Sequence, residues 1–251
     1  MVINGHLFSV IRGPRPANLD YRISSGNDSR VVQLGRSMIE MLGVLAIIAV
    51  LSVGGIAGYS KAMEMWKINK AIDDYKTMIF GLLEHFDSIR KPLYNKNSGD
   101  TGMADIIQGL DLIPTSWQKI NNSRFADSYG NYINIFYRSK GVNDNRLIID
   151  MWLGGFQENS QGSISSAFSN KLCIQLYLNL AQPLHRTLHF VGNYRRGKNG
   201  SNFVPLFGDA YCQTGRYCLS QMTVQDFYNF CNSCQKDSEI CTLTLSFTEF
   251  N

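Results

Sequence analysis

From Met41 to Ser60 the chain carries twenty consecutive uncharged residues, MLGVLAIIAVLSVGGIAGYS. A helix rises about 1.5 Å per residue, so this stretch spans about 30 Å, the thickness of a bilayer's hydrocarbon core. A buried core helix is the alternative, but core helices rarely stay uncharged for so long. The run limits what the chain can become: something must cover it, and lipid is the simplest cover.

Glu40 stands at the lip of this run, within Met38-Ile39-Glu40-Met41-Leu42. An ionisable group at that depth costs on the order of 2–3 kcal/mol or more and generally has a partner. Two readings compete. Either the carboxylate snorkels to the interface, or it is held for a purpose.

Beyond Ser60 the apolar positions are Met65, Ile68, Ile72, Tyr75, Ile79, Leu82, Phe86 and Ile89. Their alternating steps of three and four form one helical stripe. Lys61, Lys67, Lys70, Asp73, Asp74 and Lys76 fill the other faces. Pro92 disfavours helix at Lys91. The spacing therefore predicts one helix over residues 36–90, with a transmembrane half at 38–60 and a one-sided half that a sheet must cover. Gly54, Gly55 and Gly58 lie near the junction, either for close helix packing or as a place to bend.

Residues 91–251 read as one globular head with no internal repeat. Tyr94 to Gly102 is a polar loop and Met103 to Leu110 a short helix. Residues 131–137 and 146–152 are two strands. Gln157 to Ser166 reads as a Ser/Gly/Gln loop, and Ala167 to Leu180 as a helix. Strands are expected near 187–191 and 203–207. A helix follows at 223–230 with Thr223 as its cap. A half-buried strand over 240–247 closes the series.

The chain has 251 residues, 44% hydrophobic and 18% charged, with a net charge of +4. That charge is dispersed. The densest block, Arg195-Arg196-Gly197-Lys198, reads as a solvated loop, so no nucleic-acid partner is expected. No phosphate loop or nucleophile motif appears. His185 and His189 would suit a metal only on a helix, and Pro183 nearby argues for strand or loop. Neither a cofactor nor a metal is expected, and the chain is read as no enzyme.

The six cysteines, Cys173, Cys212, Cys218, Cys231, Cys234 and Cys241, all lie downstream of the apolar run. An even count there reads as disulfides in an oxidising compartment. Cys231-Asn-Ser-Cys234 suits a structural bridge better than a redox motif, and an exported domain disfavours zinc at these positions. Six cysteines allow 15 connectivities, and sequence does not choose among them. The working set is Cys212–Cys218, Cys234–Cys241 and Cys173–Cys231.

The string Gly35-Arg-Ser-Met-Ile-Glu40-Met-Leu-Gly-Val-Leu-Ala-Ile-Ile-Ala-Val-Leu resembles the processing site of type IV pilins and type II secretion pseudopilins. The resemblance covers about 25 contiguous residues. It implies that residues 1–35 are a leader, that a prepilin peptidase cuts after Gly35, and that the new amino terminus at Arg36 is N-methylated. Glu40 then becomes the fifth mature residue and the assembly residue. The implied fold is α+β: a long N-terminal helix packed on an antiparallel sheet, with a disulfide-stapled C-terminal region like that of type IVb heads. Ile113-Pro-Thr-Ser-Trp117 and Asp127-Ser-Tyr-Gly130 are similar to the segment between helix and sheet in such heads. The implied partners are identical or related subunits, the peptidase and an inner-membrane assembly machinery. The implied location is the bacterial inner membrane, with the head in the periplasm before assembly.

The family usually has phenylalanine where this chain has Arg36, and its leaders are shorter. An initiator at Val31 or Val32 would shorten the leader to a few residues. Residues 1–35 carry Arg12, Arg15, Arg22 and Arg30 against Asp20 and Asp28, which favours a cytoplasmic N-terminus. They contain no apolar stretch and are not themselves a secretory signal. Two rival readings remain. One is a pseudopilin of a type II secretion system. The other is a periplasmic enzyme or binding protein released by signal peptidase after Gly55-Ile56-Ala57.

Overall fold

The computed structural model of the chain describes residues 38–91, 99–139, 145–159, 162–165, 168–197, 200–234 and 240–248. The chain divides into two compact units, Met1–Ser52 and Val53–Asn251. In the first, the described residues are helical and their large apolar side chains are exposed.

Helix α1 is Met38–Glu84. It runs unbroken through Gly54, Gly55 and Gly58, where an added methyl would meet nothing within 4 Å. Ile68, Ile72, Tyr75, Ile79 and Leu82 are buried as their spacing demands, whereas Met65 stays 37% exposed. The single helix expected to reach Arg90 is instead interrupted at His85 and resumes as α2, Phe86–Arg90. The His85 amide still bonds to Gly81 O and its carbonyl to the Ile89 amide, so the stripe continues and Phe86 and Ile89 remain buried.

The remaining elements follow in chain order. They begin with β1 Gly99–Gly102, α3 Ala104–Gly109, β2 Gln118–Lys119, β3 Arg124–Ala126, β4 Tyr132–Ser139 and β5 Asn145–Trp152. Then come β6 Phe156–Asn159, β7 Gly162–Ser165, α4 Asn170–Leu176, β8 Leu188–Gly197, β9 Gly200–Phe207, α5 Val224–Asn232 and β10 Ile240–Phe247. The main sheet has the order β2-β3-β4-β5-β10-β8-β9, with β1 also on β4, and its pairings are antiparallel.

Three sequence expectations are corrected. Residues 99–102, read as loop, pair with β4, and residues 157–166, also read as loop, contain the β6–β7 hairpin. In the first the ladder forms from Gly, Asp and Thr, and in the second largely from Gly, Ser, Gln and Asn, most of them residue types with weak strand propensity. β10 was read as half-buried, but residues 241–247 are buried throughout because strands flank it on both sides and polar side chains pack on its second face.

Strand side chains alternate between faces. One transverse row, Ile135–Ile149–Leu245–Val191–Leu206, crosses five strands in register, and each member is 0% exposed. This row and the α1 stripe belong to one core. Fully burying each such side chain contributes about 1.5–3 kcal/mol.

Polar contacts fix the helix against this sheet. The Tyr75 hydroxyl donates to Asp127 Oδ2 at 2.5 Å. The amides of Tyr129 and Asn131 donate to Asp127 Oδ1, each at 2.8 Å, and Asn131 Nδ2 donates to Oδ2 at 2.7 Å. Gly130 turns this loop with φ +88°, a conformation open to glycine. Burial, and next the Asp127 charge, hold the Tyr75 hydroxyl well above its usual pKa, so it remains a donor.

Helix α4 starts on a Ser169 cap, whose hydroxyl accepts from the Leu172 amide, and runs on through a π-helical turn at Tyr177–Ala181. Helix α5 starts on a Thr223–Asp226 capping box. Tyr177 stacks on Phe227 at 4.9 Å and donates to Asn193 Oδ1 at 3.1 Å, which seats both helices on β8.

Candidate functional site

The N-terminal part of α1 is an exposed apolar surface. Met38, Ile39, Met41 and Leu42 are each more than half exposed, and the exposure continues through Val44, Leu45, Ile47, Ile48 and Leu51. This is the one helix among the described residues long and apolar enough to cross a membrane, and none of its most apolar window is buried. Glu40 sits in the first described turn and is exposed. No described residue partners its carboxylate. The expected processing residues, Gly35 and Arg36, lie outside the described residues.

The six cysteines form three bridges. Cys173–Cys231 joins α4 to α5 with Cα atoms 5.9 Å apart, and Cys212–Cys218 closes a tight loop after β9. Cys234–Cys241 links the end of α5 to the start of β10. This is the working set written from the sequence. The Cys231-x-x-Cys234 pair is divided between two bridges, so it forms no redox dithiol.

His185 follows a short 3₁₀ turn and His189 lies in β8, so the two do not share a helix face. His185 Nδ1 pairs with Asp209 Oδ2 at 2.6 Å. Among the described residues, no three His, Cys, Asp or Glu side chains converge on a metal position.

The sequence reading missed the outer face of the main sheet, which carries a groove of about 550 Å³. Side-chain alternation places Asp150, Thr244 and Gly192 here because their neighbours Ile149, Leu245 and Val191 face the core. In register, Asn134–Asp150–Thr244–Gly192 form one row on this face, of which Asp150 and Thr244 line the groove floor. The Thr244 hydroxyl donates to Asp150 Oδ1 at 2.6 Å. Burial pushes the Asp150 carboxyl up to about 6, opposed by the Thr244 hydrogen bond and the Arg138 and Arg124 charges, while Asp100 adds to the rise.

On one side of this floor lies the row Phe136–Ile148–Ser246–Phe190. On the other lie Trp152 and the pair Tyr194–Phe203. A Cβ at Gly192 would strike the Phe203 ring and the Val204 carbonyl, so only glycine admits Phe203 here. The guanidinium of Arg124 lies 4.9 Å from the Trp152 ring, and that of Arg138 lies 5.1 Å from Phe136. Arg138 also grips Asp100 with two bonds of 2.8 Å. A second cavity of about 360 Å³ adjoins the first, sharing Phe136, Arg138 and Asp150. Period-two alternation could have signalled this face, but the pairing that assembles the rows joins distant residues such as Asp150 and Thr244, 94 positions apart.

No protein-family model, curated protein or solved structure matches the chain.

Proposed function

We propose that the chain is a structural subunit of a type IV pilus-like filament. It is inserted by α1, cut after Gly35, N-methylated at Arg36 and assembled with identical or related subunits by inner-membrane machinery. The carrying observation is Glu40: a carboxylate without a described partner, at the start of an exposed uncharged helix. Supporting it is the continuation of that helix as a one-sided stripe against an antiparallel, disulfide-bridged sheet.

The chemistry follows from charge. Cleavage after Gly35 leaves a cationic amine on Arg36, about one helical turn from Glu40. A carboxylate in a low-dielectric bundle demands a counter-charge. Its own amine or that of a staggered neighbour meets the demand, so docking gains a direction and a register. The head faces the periplasm before assembly, which agrees with its bridged cysteines.

The test is the mass and modification of the mature N-terminus in membranes of producing cells. A methylated Arg36 terminus supports the proposal. A chain intact across Gly35, or one beginning at Gly58, overturns it. Surface labelling of intact cells then separates a displayed pilus subunit from a secretion pseudopilin.

A further inference from the structure

The outer-face groove makes three chemical demands at once. Its floor offers the Asp150 carboxylate as an acceptor, and the adjoining cavity offers Asn134 Oδ1, which is buried without a hydrogen-bond partner. Its walls are aromatic on both sides, with Phe136 and Phe190 facing Trp152, Tyr194 and Phe203 across the polar row. Its rim carries Arg124 over Trp152 and the exposed Arg196 opposite Ile240, beside Arg138, which lies over Phe136 and is already paired with Asp100.

A ligand that satisfies all three has flat C–H faces to lie against rings, hydroxyls to donate to the floor, and an anionic group for the rim. An acidic sugar has each of these. Arginine recognises carboxylates in a planar, two-bonded fork, so a uronate suits the rim better than a neutral sugar. A polyphosphate backbone fits less well, because its charged oxygens only accept and cannot donate to the Asp150 carboxylate. An acidic peptide lacks the hydroxyls that the floor acceptors require.

We propose that this face binds an acidic, uronate-type saccharide, with one ring between the aromatic rows and a second unit in the adjoining polar cavity. Hydroxyls of the first ring donate to Asp150 and those of the second unit to Asn134, and the first ring's carboxylate lies at the arginine rim. The groove lies wholly within Val53–Asn251, and the proposal does not rest on the filament reading.

The test uses the full chain in detergent micelles, with oligogalacturonate as probe and titration calorimetry as readout. A maltooligosaccharide of equal length is the neutral comparator, and a single-stranded DNA oligonucleotide and polyglutamate are the anionic ones. Oligogalacturonate is expected to bind at least about tenfold more tightly than each comparator. Arg196→Ala changes an exposed rim residue without disturbing the fold and should weaken binding about tenfold. Trp152→Ala should weaken it similarly, with melting measured alongside. Arg186→Ala, outside the groove, should leave it unchanged. The proposal is overturned if oligogalacturonate does not bind, if the maltooligosaccharide binds equally, if DNA or polyglutamate binds more tightly, or if Arg196→Ala has no effect.

Discussion

Tyr75 of the long helix and Asp127 of the loop before β4 share a hydrogen bond of 2.5 Å across 52 residues of sequence. Both are buried, and Asp127 accepts three further bonds from Tyr129 and Asn131. Tyr75→Phe removes one donor and leaves three, so the head should lose about 1–2 kcal/mol. Asp127→Ala strands several donors at once and should cost about 3 kcal/mol or more. For a domain of this size each kcal/mol lowers the melting temperature by about 2–4 °C. Equal melting of wild type and both variants would show that the network does not fasten the helix.

The bridges should differ in worth. Cys173–Cys231 spans 58 residues and Cys212–Cys218 only 6. Loop-closure entropy gives about 4 kcal/mol for the former and about 2 kcal/mol for the latter. The paired change Cys173→Ala with Cys231→Ala should therefore lower the denaturant midpoint about twice as far as Cys212→Ala with Cys218→Ala. A reversed order would mean that strain or denatured-state structure outweighs chain entropy.

Asp150 gives a pH signature. Its carboxyl is raised from 3.8 to about 6 in the folded head. Between those values the folded state holds a proton that the unfolded chain has released, so stability falls as pH rises through the window. Above it, the ionised group costs at most about 3 kcal/mol. Asp150→Asn keeps an acceptor for Thr244 and removes the charge. It should be more stable than wild type at pH 7, equal to it near pH 4, and flat between. Chemical denaturation across that range reads this directly. The same variant should weaken oligogalacturonate binding, which would explain why a destabilising carboxylate occupies the floor.

Glu40→Gln preserves size and removes charge. If the carboxylate pairs with a neighbour's amine, the variant chain should still be processed at Gly35 yet enter sheared filaments at no more than about a tenth of the wild-type level. Normal incorporation would leave the carboxylate without an assembly role.

Legibility in the sequence followed the reach of the interactions. The Ile68–Ile72–Tyr75–Ile79–Leu82 stripe is local, and its spacing alone placed it on the buried face. The same holds for β4, β5 and the Thr223 cap, each signalled within a few residues. β1, β6 and β7 were invisible because Gly, Asp, Ser and Gln take strand geometry only when a ladder is offered. The interruption at His85 carries no proline or glycine to announce it. Glu40 stands out in the sequence because a charge at the lip of an apolar run is an anomaly in one dimension. The groove was not, because Asp150, Thr244 and Gly192 become neighbours only once β10 lies between β5 and β8.

That placement of β10 has a consequence for how the head is made. It is the last described strand in chain order, yet it occupies the middle of the sheet. Until residues 240–247 arrive, β5 and β8 each present an open rim of unpaired amides and carbonyls, the surface on which stray chains stack. Closure must therefore wait until the last strand has been made, and the slow, non-local pairing comes last. A chain that stalls or is clipped upstream of Ile240 is not a slightly shorter head but two sticky half-sheets, the form that quality-control proteases remove.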